Sequence, residues 1–261
     1  MSEATRVPAD PRMPASVAKR TKETEDLEAS AAILKEGFVC TVAHLETVPG
    51  SVPAAIRPKC VPMVYAYREE GGQKLLYLHG SIHWPDPTPP SLKHLWSEGG
   101  VPVCVTVTLL DGLVVGRAAI STSLNYRSVV VDGIAKKVAQ AERGKTIEAL
   151  SDQVIPGRWA ELRPLKDGPN GEMDSDGKHS PTVGVLSVSL TENATVRMKK
   201  HQITQPEHEN QDDWNWNHGK AWGGILPIRH TYGPAQPDSH VQQGAAVPDS
   251  IQKLIKEGRA G

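Results

Sequence analysis

The sequence predicts a mainly β protein, an antiparallel Greek-key-like barrel with peripheral helices, and three observations carry that reading. Apolar residues fall into short β-branched or aromatic runs. The Asp111-Gly112 pair lies between two of these runs and reads as a tight hairpin turn. Few helical stretches separate the runs, whereas a parallel sheet would need a crossover helix between successive strands.

Residues 1–22 are rich in Pro, Ala, Arg and Lys without periodicity and read as a flexible arm preceding a domain over residues 23–232. Thr24 can cap a first helix, with Glu25, Asp26 and Glu28 near its N-terminus, Leu27, Ala31, Ile33 and Leu34 as its apolar positions, and Gly37 as its stop. Strand-like runs follow at 38–45, 60–67, 74–80, 101–110, 113–120 and 126–138. Leu92, Leu95 and Trp96 at 91–100, and Ile147, Leu150, Val154 and Ile155 in 142–155, predict helices lying on the barrel. Later strands are expected at 183–190, 196–200 and around 223–229, with polar loops at 165–181 and 202–220. Residues 233–261 read as a Pro-, Gln- and Gly-rich tail with a short helix over 250–258.

Composition narrows the function. A net charge of −1, from 29 Lys and Arg against 30 Asp and Glu, supplies no basic field for nucleic acid or an anionic membrane. No secretory leader or 18-residue apolar run is found, so a cytoplasmic protein without membrane partners is expected. Cys40, Cys60 and Cys104 are too scattered for a disulfide framework or a zinc site and read as reduced, half-buried core thiols. His79 and His83 have a helical ligand spacing on a segment that is not helical, so no metal site is expected. No Walker, Gly-x-Ser-x-Gly or dinucleotide motif stands in its required context.

The more specific signal is an ordered set of stretches: CVPMVY (60–65), LYLHGS (76–81), CVTVTLLDGLVVGRA (104–118), NYRSVVVDG (125–133), VIPGRWAELRP (154–164) and WGGILP (222–227). Together they resemble the pyridoxamine 5'-phosphate oxidase-like superfamily, in particular its flavin-nucleotide-binding branch. The resemblance implies an FMN-binding split β-barrel, a homodimer with the flavin at the subunit interface. It implies that Pro62, Met63 and Val64 run along the isoalloxazine edge, and that Leu78, His79, Gly80 and Ser81 approach the ribityl chain and phosphate. Pro62 lacks an N–H, which suits an edge or bulged position.

Relatives carry a Ser-Arg phosphate grip at the place where this chain has Ser91 followed by Leu92, so Lys93 is the expected substitute cation, without the planar fork of arginine. An insertion over 82–90 with Pro85, Pro87, Pro89 and Pro90 precedes it. Asn125, Tyr126, Arg127 and Ser128 match the stretch beside the flavin, and Trp222 matches an indole packed on the cofactor. Tyr126 can equally be a cross-strand aromatic pair, and Trp222 a barrel plug. The resemblance implies an FMN-dependent oxidoreductase acting on a small molecule, with no acid/base pair standing out as catalytic. It is not read as a true pyridoxamine 5'-phosphate oxidase, because the chain after Pro227 lacks an arginine- and histidine-rich ending. Two alternatives are haem binding or degradation, with His79, His83 or a loop histidine as axial ligand, and a non-catalytic flavin carrier or sensor.

Overall fold

The structure, a computed structural model, describes residues 27–47, 50, 55–81, 92, 94–165, 183–190 and 211–258, and the backbone of 195–201. The N-terminal arm, Thr24, Ser91, Lys93 and the 82–90 insertion fall outside them. The chain divides into two compact units, a larger one of residues 24–108, 128–198 and 230–261, and a smaller one of 1–23, 109–127 and 199–229.

The larger unit is the antiparallel barrel expected from the sequence. Its strands are β1 (Val39–Thr47), β2 (Ile56–Glu70), β3 (Gln73–Ser81), the first half of β4 (Val101–Val115), the second half of β5 (Ser123–Lys137) and β6 (Val183–Ser189). They pair in the order β5-β6-β3-β2-β1-β4, and β4 also pairs with β5. A strand β7 (Thr195–His201) pairs with β5. The close approach of β4 and β5 is visible at Gly100, where a Cβ would stand 2.6 Å from Ile134 Cγ2 and 3.1 Å from the Ala135 carbonyl oxygen.

Alternation sorts each strand into two faces. Paired positions Tyr65 with Leu78 and Tyr67 with Leu76, on β2 and β3, turn inward and are buried, as are Val42 with Val105 on β1 and β4. Leu186 and Val188 of β6 complete this layer beside Leu78 and Leu76. On the opposite face, helix α2 (Gln140–Val154) lays Ala149 and Leu150 over Ala66, Tyr77 and Val185, a second apolar cluster.

Helix α1 (Leu27–Glu36) ends where the sequence places its stop. A Cβ on Gly37 would lie 2.5 Å from Tyr65 Oη, so only glycine fits there. The carbonyls left open at its C-terminus are met by distant side chains. Tyr65 Oη donates to the Leu34 oxygen at 2.9 Å, and Gln153 Nε2 of α2 donates to the oxygens of Leu34, Lys35 and Gly37 at 3.2, 3.1 and 2.6 Å.

The structure corrects several expectations. Asp111-Gly112 is no hairpin: β4 runs unbroken through it, and Gly112 has no positive φ. Glycine suits the position for another reason, since a Cβ would crowd Ile225 Cγ2 and the Leu226 oxygen at 3.1 Å on the neighbouring β8 (Gly224–Pro227). The chain reverses instead after Gly116, where a Cβ would stand 2.4 Å from Ser121 Cβ. Residues 92 and 94–100 form turns and irregular chain, not a helix, with Leu92 and Leu95 fully buried and Gly100 at φ 75°. The expected loop at 202–220 contains helix α3 (Gln211–Asn215) and, over Trp216–Gly219, a kinked turn in which Asn217 and His218 take positive φ of 53° and 57°. The terminal helix is present as α4 (Asp249–Glu257).

The cysteines also separate. Burial pushes the Cys40 thiol up to about 12, whereas Cys60 is exposed rather than half-buried.

Candidate functional site

In the larger unit, register decides what β2 and β3 can offer a ligand. β2 pairs with β1 from Ile56 to Val64 and with β3 from Tyr65 to Glu70, so the strand changes partner between Val64 and Tyr65. Beyond the Tyr65–Leu78 pair the two strands no longer ladder, although β3 stays paired with β6 through Ser81. The chain segments that part here are Pro62–Val64 and His79–Ser81, two of the stretches singled out in the sequence. The chain returns to this place, because the Leu92 amide donates to the Ser81 oxygen at 3.0 Å and Leu92 is fully buried.

The side chains of these stretches do not act alike. Met63 and Leu78 turn into the core and are buried, so any contribution from them to a ligand is through their backbone. Pro62, Val64 and His79 alternate onto the other face, where Pro62 is exposed and Val64 and His79 are half-buried. Burial pushes the His79 imidazole below its ordinary value, which keeps the ring neutral at neutral pH. Gly80 and Ser81 are half-buried.

The same face carries exposed apolar residues on the two neighbouring strands β1 and β2. Val39 is 48% exposed, Leu45 67% and Ile56 65%, and Val39 and Leu45 pair with Val64 and Pro58 across β1 and β2. Cys60 and Cys104 both pair with Ala43. An apolar surface of this extent on one sheet face is the kind that a ligand or a second protein covers.

At the open end of β1 a charged group gathers. Glu46 accepts from Arg57 Nε at 2.9 Å and lies 3.7 Å from Lys59 Nζ and 2.9 Å from His94 Nε2. The His94 ring stacks on His44 with centroids 6.2 Å apart. Arg57 is the foremost cause holding the Glu46 carboxyl below its ordinary value. Among the described residues no group of histidines, cysteines and carboxylates has the geometry of a metal site.

Ser128, the last of the matched stretch at the head of β5, belongs to the larger unit and is buried. The smaller unit holds Asn125, Tyr126, Arg127 and Trp222. Asn125 is fully buried and Tyr126 half-buried. Arg127 is committed to Asp111: its Nε lies 3.1 and 3.0 Å from the two carboxylate oxygens and its Nη2 2.8 Å from one of them. Trp222 is 66% exposed, so it is not a barrel plug. Its ring lies against Gly224, where a Cβ would be 3.3 Å from Trp222 Cζ2.

Arg117 lies in the matched stretch 104–118, and the structure gives it a role. Arg117 Nε donates to the Ala221 oxygen at 3.1 Å, and a Cβ on Gly223 would come within 2.7 Å of Arg117 Nη1. Arg117 therefore fixes the backbone that presents Trp222. The glycine after the tryptophan was the available signal, since it marks a close approach, but the sequence does not say of what.

Comparison with known proteins places this architecture. The family model described as pyridoxamine 5'-phosphate oxidase matches residues 26–176. Among solved structures, the FAD and haem binding protein from Mycobacterium smegmatis is 25% identical, with 90% of this chain and 97% of that chain covered and a TM-score of 0.68. The flavocytochrome Anf3 from Azotobacter vinelandii is 27% identical over 88% of this chain and 91% of that chain, with a TM-score of 0.63. No curated protein matches the chain. With the family model matching more than half of its length and the antiparallel barrel agreeing with it, the chain belongs to the pyridoxamine 5'-phosphate oxidase-like family.

Proposed function

We propose that the protein is a flavin-dependent oxidoreductase of this family, holding FMN on the β1–β2–β3 face and acting on a small molecule as a homodimer. The observation that carries the reading is the partner change of β2 at Val64–Tyr65, which frees the Pro62–Val64 and His79–Ser81 edges from pairing with each other. A planar ring with a polar rim suits such an opening, since the adjoining face is apolar and strand edges can supply backbone donors and acceptors. A bound flavin would supply the redox chemistry, and the protein its orientation and shelter from water. The exposed Val39, Leu45 and Ile56 favour a second copy as the cover, with a two-fold axis repeating the same patch.

A second reading has specific support. Both solved neighbours are named for haem as well as flavin, or as a flavocytochrome. His79 is a half-buried imidazole held neutral on the apolar face, the form in which histidine ligates iron.

The test is the absorption spectrum of the purified protein and the flavin released on denaturation. A flavin spectrum with one FMN per chain supports the first reading. FAD in its place corrects the cofactor, and a Soret band that disappears in His79→Ala supports the second. Protein that neither carries nor takes up flavin sinks the main proposal, and a single-chain mass by light scattering at micromolar concentration sinks the dimer.

A further inference from the structure

Arg143 of α2 stands apart from the other arginines described. Its residue is only 6% exposed, and its Nη1 is buried without a hydrogen-bond partner among the described residues. Its Nε reaches the Val138 oxygen at 3.4 Å, near the limit of a hydrogen bond. Burial lowers its affinity for the proton. A guanidinium taken out of water requires compensation, and one long hydrogen bond supplies little of it.

What surrounds it is a second cation and an aromatic face. The Arg143 guanidinium carbon lies 5.5 Å from the Trp96 ring centroid, and Lys137 Nζ lies 5.0 Å from the same centroid. Lys137 is paired with Glu98, whose side chain is 91% exposed. Among the described residues the cluster therefore has two cations and one carboxylate, and that carboxylate sits on a side chain almost wholly in water. A singly charged acid on Lys137 leaves the Arg143 charge unanswered, whereas a doubly charged oxyanion offsets both and offers acceptors to Nη1.

We propose that Arg143 and Lys137, around the Trp96 ring, form a binding site for an oxyanion of the phosphate class, with Glu98 competing for it as a built-in carboxylate. The proposal rests on these residues alone and does not depend on the flavin reading. Glu98 swings out as the anion enters, since nothing buries its side chain.

Inorganic phosphate is titrated into the protein as purified, at ionic strength held constant with chloride, with the melting temperature and calorimetric heat as readouts. The native protein is expected to show saturable binding. Arg143→Gln is expected to weaken it by about tenfold or more, the range for a charge-assisted hydrogen bond. Glu98→Gln is expected to tighten it by about two- to fivefold, the effect of removing an exposed competing ion pair. No saturable response, or equal affinity in both variants and the native chain, overturns the site. Should Arg143→Gln not fold, Lys137→Gln replaces it: a weaker response supports the site, and an unchanged one overturns it.

Parallel titrations with FMN and riboflavin identify the source of the phosphate. If Arg143→Gln weakens FMN but not riboflavin, the occupant is the flavin's own phosphate. If only inorganic phosphate is affected, it is a free ion. A chain that binds no flavin yet binds phosphate through Arg143 leaves this proposal standing while the flavin reading fails.

Discussion

Arg127 closes on Asp111 from the neighbouring strand with Nε 3.0 Å and Nη2 2.8 Å from different carboxylate oxygens, a two-point grip with both side chains mostly shielded from water. The pair explains an acidic residue inside an apolar strand. The local pattern Asp111-Gly112 predicts a turn, but in the fold Asp111 is the counter-ion of a cation 16 residues further on.

Removing one member of this pair leaves the other partly buried and unmatched. Arg127→Ala is expected to lower stability by about 1–3 kcal/mol, less than a fully buried pair would cost. Adding Asp111→Ala should recover part of that loss. Urea denaturation of both single variants and the double variant measures the coupling, and strictly additive losses would show that the pair is not a stabilising unit.

Gln153 should prove more costly than its place on a helix suggests. Its amide nitrogen serves the carbonyls of Leu34, Lys35 and Gly37, joining α2 to the end of α1. Gln153→Ala is expected to destabilise by about 1–3 kcal/mol through the buried oxygens it strands. Gln153→Glu should do worse at neutral pH, because a carboxylate then faces carbonyl oxygens. Equal stability of Gln153→Glu and the native chain would exclude this account.

His79 gives the protein a signed pH dependence. Burial lowers its folded-state affinity for the proton, so the unfolded chain binds that proton more readily. The neutral ring's contribution to stability is present above the ordinary histidine value of about 6.5 and is lost as pH falls through the lower folded value. His79→Gln should flatten this slope. Denaturation midpoints between about pH 5 and 8 provide the check, and an unchanged slope would mean that the ring is not desolvated in solution.

The C-terminal helix is tethered by one carboxylate. Glu161 accepts from the Ser250 amide on Oε1 at 2.9 Å and from the Ser250 hydroxyl on Oε2 at 2.6 Å, and Arg158 Nη1 donates to that same Oε2 at 3.0 Å. The Ser250 hydroxyl is the foremost cause keeping the Glu161 carboxyl below its ordinary value, so the tether holds above the usual carboxylate range and is lost as pH falls through the folded value. Ser250→Ala should speed proteolytic cleavage between residues 233 and 248 at neutral pH. Cleavage at the native rate would show that α4 is held by its apolar side chains instead.

The family resemblance implies the stretches that part between β2 and β3, whereas the sequence's own patterning determined helices α1, α2 and α4 and the strands other than β4, which it splits at Asp111-Gly112. These depend on which residue alternates with which and on where glycine ends a run, and both are properties of neighbours in the chain. Its errors fell where the same residue has two physical uses. Gly112 can serve a turn through its backbone freedom or a close strand through its missing side chain, and the contact with β8 decides for the second. Leu92 and Leu95 have helical spacing, yet their burial is achieved by turns tied to Ser81 and by Gly100 in a left-handed conformation. Only the tertiary structure could pair Arg127 with Asp111, aim Gln153 at the end of α1, and bury Arg143 beside Trp96 and Lys137. These partners meet through sheet register and helix packing, and a local sequence pattern carries no information on a register set by strands far away along the chain.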